Sequence, residues 1–254
     1  MLDTYHVCVV LAVIILGLSK TGFGGGTGIL SIPLMALVMP SPTMIAILAI
    51  LLLVVDCFAN VHYIGEYDWP VLRWLVPGAG VGVVIGIGVL LLMRGGDSST
   101  FDRRLSLTIG LICLIFVLLQ CWRLAGRYLP TLPVRPASSV AIGAVAGVVS
   151  TISHSAGPIV MLYLLQERIA KKRLVGTMLM FTLLINGVKV VSYVLIGTVT
   201  WATFRQTWWM IPFLPVGTLA GVWMNRRIPE KPFMAVMYAA AAATAAQMIY
   251  KAMV

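Results

Sequence analysis

Charge is what this sequence has least of. Only 10% of its 254 residues are Asp, Glu, Lys or Arg, and the acids number 8, whereas a soluble domain carries about 25% charged residues. So few charges cannot cover a surface that faces water, which excludes a soluble enzyme or binding module. Cysteine is scarce as well. Cys8, Cys57, Cys113 and Cys121 form no CxxC pair, so they suggest neither a disulfide framework nor a metal site and read as buried small hydrophobes. The three His are scattered without metal-ligand spacing, and neither metal nor cofactor is expected. The net charge of +10 comes with no basic tail. Its Lys and Arg stand singly or in small groups between apolar runs, which argues against nucleic acid and for loops beside a bilayer.

What is abundant is apolar: 60% hydrophobic residues and a mean hydropathy of +1.01. At roughly 20 residues per crossing, the length accommodates an all-α polytopic membrane protein of about eight transmembrane helices, with no sizeable extramembrane domain. The N-terminus, with Asp3 and His6, lacks a basic n-region. Its apolar run Tyr5–Leu18 ends in Ser19-Lys20-Thr21 and not at a cleavage site, so it reads as a retained first span.

Two of the apolar runs are interrupted. The first, 5–38, is broken by Lys20 and the glycines of 22–28; the fifth, 137–166, is broken at Ser150–Pro158. Each opens one half of the chain, and other features repeat between the halves. Gly65, Trp69 and Arg73 match Gly197, Trp201 and Arg205, while Pro77, Gly82 and Gly86 match Pro212, Gly217 and Gly221. This pattern predicts two four-span repeats, 1–127 and 128–254, each with a broken first helix, integrated into one membrane domain.

Basic residues suggest an orientation. Loops with Arg94, Arg103 and Arg104, with Arg168, Lys171, Lys172 and Arg173, and with Arg226, Arg227 and Lys231 are assigned to the cytoplasm. Glu66, Asp68 and Thr200 then lie outside, with both termini. Equivalent loops share a side, so the repeats are expected to be parallel. The loop with Arg123, Arg127 and Arg135 dissents, being basic yet placed outside.

Four groups of residues could carry chemistry. Around Lys20, the glycines Gly24, Gly25 and Gly26 cost about 1 kcal/mol each in a helix, so the helix is expected to open there. Open backbone at membrane depth must line a cavity or be buried in protein, and its N–H groups beside Lys20 suit an anion; a glycine stripe for helix packing is the plainer alternative. At the second break, Ser153, His154 and Ser155 offer hydroxyls and an imidazole to an oxyanion, or simply re-satisfy a kinked backbone. Asn186, Lys189 and Tyr193 share a helical face, and a lysine at mid-membrane costs roughly 2.5–3.5 kcal/mol, unless it snorkels to the interface. Asp56 is the acid placed well inside a span; it pairs with Lys20 or Lys189, or carries a proton, as His154 also could. Trp69, Trp201, Trp208 and Trp209 lie near span ends and read as interface anchors. No nucleophile–base–orienter set stands out, so an enzyme is not expected.

The ordered set of Gly22-Phe23-Gly24-Gly25-Gly26 with Pro33, Ala156-Gly157-Pro158, Asp56, and the Asn186/Lys189/Tyr193 face resembles the TauE/SafE family of sulfite exporters and related permeases. The resemblance implies a multi-pass carrier of the bacterial cytoplasmic (inner) membrane for small sulfur-containing anions: sulfite, organosulfonates or related carboxylates. The second break departs from the usual glycine run, having Ser153-His154-Ser155, which bears on substrate choice. The expected function is secondary transport through a midplane site at the two breaks, with proton coupling and a homodimer left open. The alternatives are a passive anion channel, an intramembrane enzyme using Ser153 and His154, and an assembly factor without substrate.

Overall fold

The computed structural model describes residues 4–22, 31–36, 38–124, 133, 135–166, 169–227, 239, 242–243, 245–250 and 252–253. Every regular element among them is helical: α1 (Thr4–Gly22), α2 (Ser31–Ala36), α3 (Ser41–Asn60), α4 (Trp69–Met93), α5 (Ser98–Leu124), α6 (Pro136–Ser153), α7 (Ala156–Leu164), α8 (Lys171–Leu195), α9 (Trp201–Thr207) and α10 (Phe213–Arg227). The chain is therefore an all-α polytopic membrane protein. Four described helices, within α3, α4, α6 and α8, are long and apolar enough to cross a bilayer. Their outer faces expose large apolar side chains such as Val84, Leu92 and Leu195, which suits contact with lipid. Cys57 and Cys121 also lie on exposed faces and only Cys113 is buried. The expectation of four buried thiols is corrected for those two: lipid, like a protein core, accepts a small apolar thiol.

Local chemistry sets the starts of these helices. Proline at the first turn suits α3, α4 and α6, because no helical N–H is lost there. The carboxylate of Asp68 caps α4 by accepting from Val71 N at 3.4 Å. Trp69 and Trp201, at the first turns of α4 and α9, are exposed.

Glycine brings two pairs of helices close together. A Cβ on Gly78 would lie 2.2 Å from Val140 O, and one on Gly82 2.0 Å from Ala144 O; further along, one on Gly86 would lie 2.7 Å from Thr151 Cβ. The contacts advance together along both helices, so α4 and α6 run parallel with backbones nearly touching. The pair α1 and α10 is built alike: His6 meets Trp209 with ring centroids 5.4 Å apart, and a Cβ on Gly17 would lie 2.7 Å from Leu214 O.

Loop contacts sort the helix ends onto two faces. On face I, Lys172 Nζ donates to Glu66 Oε1 at 3.0 Å, Arg173 Nε donates to Tyr67 O at 3.2 Å, and Asp68 N donates to Thr177 Oγ1 at 2.8 Å. On face II, Arg94 donates to Ile196 O at 2.9 Å and to the Thr198 hydroxyl. There too, Ser41 N donates to Asp102 Oδ1 at 2.7 Å, and Arg103 binds the carbonyls of Ala252 and Met253.

These contacts overturn the expected orientation. Glu66 cannot lie outside while touching Lys172 inside, nor can Thr198 lie outside while touching Arg94 inside. The matching loops at 65–69 and 197–201 therefore sit on opposite faces, where the expected orientation put them on one side. The physical reason lies in the interrupted runs. Because α6 parallels α4, it starts at face I; Tyr163 OH then reaches back to Ser138 Oγ and Ser139 Oγ at 2.9 and 2.8 Å. The pair α6–α7 thus returns the chain to the face it came from. Likewise α1 points its Lys20 end toward face I, yet α3 begins at face II. A broken run counted as one crossing reverses the side of everything after it.

Candidate functional site

Two buried clusters form, one at the C-terminal end of α1 and one at the α6–α7 break. The first joins α1, α3 and α8. Lys20 Nζ lies 2.5 Å from Asp56 Oδ1, with the lysine side chain 5% and the carboxylate 0% exposed. Thr182 Oγ1 accepts from Lys20 Nζ at 3.2 Å and donates to Asp56 Oδ1 at 3.1 Å. Asn186 Nδ2 donates to the other carboxylate oxygen, Oδ2, at 2.6 Å. One turn along α3, Asn60 spans the same crossing, giving its amide protons to Asp56 O at 2.9 Å and Leu179 O at 3.0 Å. A lone buried charge at this depth would cost several kcal/mol. The ammonium and carboxylate neutralise each other, and two neutral side chains fill the remaining hydrogen-bonding positions on Asp56.

The second cluster joins α3, the α6–α7 break and α8. The ammonium of Lys189, itself fully buried, has its three donors directed at Ser150 O (3.3 Å), Ser150 Oγ (3.2 Å) and His154 Nδ1 (2.7 Å). His154 Nε2 lies 2.9 Å from Ile45 O. A carbonyl only accepts, so Nε2 carries the ring proton and Nδ1 is the acceptor for Lys189. His154 ends α6 with φ +54°, the one non-glycine residue in the left-handed region among the described residues. That conformation costs an L-residue roughly 1–2 kcal/mol. Glycine would adopt it freely, but glycine has no imidazole to hold Lys189.

Between the clusters lies a cavity of about 20 Å³, walled by Lys20, Ser150, His154, Thr182 and Asn186 on its polar side and by Leu52, Phe181 and Ile185 on its apolar side. That volume holds about one water. A polyatomic anion therefore needs the helices to part before it can enter. A separate recess of about 510 Å³ opens at face II beside Ser41, Asp102, Arg103 and Ser106 and shares no lining residue with the small cavity.

The sequence-derived site residues distribute unevenly around this cavity. Lys20, His154 and Asn186 line it. Lys189 stands behind His154 and Ser150. Tyr193 is fully buried and its hydroxyl donates to Thr151 O, bracing the second break. Ser153 Oγ donates to Val149 O at 3.0 Å and Ser155 Oγ to Ser153 O at 2.8 Å, so both hydroxyls are spent on backbone. Asp56 binds Lys20, as one of its two expected partners. Gly24, Gly25 and Gly26 lie outside the described residues. Thr182 was missed, and Ser150, though within the second break, was not singled out; in sequence, a hydroxyl on an apolar helix looks the same whether it bonds its own backbone or faces a cavity. Among the described residues there is no group of three His, Cys, Asp or Glu placed to hold a metal.

No curated protein and no solved structure matches the chain. The profile of the family described as "Sulfite exporter TauE/SafE" matches residues 9–248, nearly the whole length. An all-helical fold with membrane-spanning helices and buried Lys20, Asp56 and Lys189 accords with that match, and the chain belongs to the TauE/SafE sulfite exporter family of membrane transporters.

Proposed function

We propose that this chain is a secondary carrier of a small sulfur-containing anion (sulfite, an organosulfonate or a related carboxylate) across the bacterial cytoplasmic membrane, with the anion bound at the cavity between the two breaks. The observation that carries the reading is the polar wall of that cavity. Lys20 contributes an ammonium donor, Thr182 and Ser150 contribute hydroxyls, and Asn186 and the Nε2-protonated His154 complete a dipolar lining deep in an apolar bundle, with the Lys189 ammonium behind Ser150 and His154. Such groups are expensive in lipid and favour an anionic ligand. The small volume supports a carrier over a channel, because an open pore would be wider than one water across the bundle.

In this reading residues 1–127 and 128–254 are two repeats of inverted orientation, each contributing one broken-helix hairpin. Alternating access follows from exchanging which hairpin packs closed. Face I is cytoplasmic, because Arg135, Lys171, Lys172 and Arg173 gather there against Arg94, Arg103 and Arg104 on face II. Arg123, in the last turn of α5, and Arg135, at the start of α6, lie on this same side.

A thermal-shift screen of the purified protein tests the binding reading. Sulfite, methanesulfonate or a sulfur-containing carboxylate is expected to raise the melting temperature of the parent and leave Lys189→Met unshifted. Equal shifts in both proteins would remove the cavity as the binding site.

A further inference from the structure

Accepting that the cavity holds an anion, the buried charges around it can be counted. Among the described residues, the charged side chains buried in the bundle are Lys20, Asp56 and Lys189. Lys20 and Asp56 cancel at 2.5 Å. Lys189 faces no carboxylate. Its partners are Ser150 and a histidine that accepts through Nδ1 while its Nε2–H is given to Ile45 O, so His154 adds no charge. Tyr193, packed edge-on to His154 with centroids 6.4 Å apart, is a neutral phenol that donates to Thr151 O.

We propose that the site presents one uncompensated positive charge and so selects monoanions (hydrogensulfite, sulfonates, monocarboxylates) over dianions such as sulfate, with Asp56 setting the count. A monoanion leaves the occupied bundle neutral. A dianion leaves one negative charge stranded in a medium where an unpaired ion is costly. Asp56 does this without lining the cavity. It lies behind Lys20, Thr182 and Asn186, which bind its two carboxylate oxygens and screen it from direct contact with the ligand. It is thus a specificity residue that acts through net charge, while the side chains in front of it recognise the oxyanion.

The test is equilibrium binding of methanesulfonate and sulfate, a fixed monoanion and a fixed dianion, to the purified full chain at one ionic strength. The parent is expected to bind methanesulfonate at least about tenfold more tightly than sulfate. Asp56→Asn adds one net positive charge and moves that ratio toward sulfate by a similar factor. Lys20→Met/Asp56→Asn returns the count to one and restores the parent ratio. Should Asp56→Asn fail to fold, the parent alone decides: as buffer passes from mildly acidic to mildly alkaline and hydrogensulfite becomes sulfite, binding of that ligand weakens relative to methanesulfonate. A parent that binds sulfate as well as methanesulfonate, or a ratio unmoved in Asp56→Asn, overturns the charge count and leaves the carrier reading standing. A parent that binds none of these anions overturns both.

Discussion

Lys189 and His154 form a single hydrogen-bonded unit: the ammonium donates to Nδ1 at 2.7 Å, and the far side of the same ring donates from Nε2 to Ile45 O at 2.9 Å. The lysine thus reaches the α3 backbone through an imidazole held in a left-handed turn. The pair has a counterpart in the other half, where Lys20 on the broken helix meets Asp56 on the helix that follows. Both pairs join two helices deep in the bundle, yet only the Lys20–Asp56 pair contains a carboxylate.

His154→Gly separates backbone from function at this turn. Glycine relieves a conformational cost of roughly 1–2 kcal/mol while removing the acceptor for Lys189. The variant is expected to melt no lower than the parent by more than a few degrees and to lose most of its transport. His154→Gln, which keeps a donor and an acceptor, is expected to recover part of it. Melting curves and vesicle uptake on the same preparations check both.

Asp56→Ala strands the ammonium of Lys20 in the bundle. Breaking a buried ion pair from one side costs about 3–5 kcal/mol, so a large drop in melting temperature is expected. Lys20→Met/Asp56→Ala is expected to be more stable than Asp56→Ala alone. Additive losses in a double-mutant cycle would mean that the pair is not coupled.

At the seam of α4 and α6, Gly82→Ala puts a methyl 2.0 Å from Ala144 O, whereas Gly80→Ala meets nothing within 4 Å. The first is expected to force the helices apart and destabilise the protein by about 1–3 kcal/mol. The second is expected to be neutral or slightly stabilising, since alanine is the better helix former by about 1 kcal/mol. Side-by-side melting curves distinguish them.

The inverted arrangement predicts a labelling pattern. In a background with Cys8, Cys57, Cys113 and Cys121 replaced, Glu66→Cys and Lys172→Cys react with an impermeant maleimide from one side of sealed vesicles. Arg94→Cys and Thr198→Cys react from the other. In right-side-out vesicles the Arg94 and Thr198 positions are expected to be the accessible ones. Labelling of Glu66→Cys and Thr198→Cys from the same side would restore the parallel arrangement.

Much of the fold class was legible in composition, because a chain this poor in charge has few other solutions. Lys20, Asp56 and Lys189 stood out for the same reason: each is a charge inside an apolar run. The Lys20–Asp56 pair was one of the two pairings expected, whereas the other contacts between helices were not assigned. Lys189 meets His154 across 35 residues and Asp56 meets Asn186 across 130, and no helical period reports on contacts between helices. The faces were misread at the interrupted runs, as at Ser153–Ser155, because hydropathy is the same whether the chain continues across the bilayer or turns back. Only contacts such as Tyr163 with Ser138 separate the two paths.

The central claim is that an anion crosses by binding beside Lys189 at the cavity between the breaks, and counterflow tests it most directly. Proteoliposomes loaded with unlabelled methanesulfonate or sulfite are diluted into the labelled anion. The account predicts a saturable, transient overshoot for the parent and none for Lys189→Met that melts like the parent. An overshoot of equal size in Lys189→Met, or a parent flux that rises linearly without saturation, would contradict it.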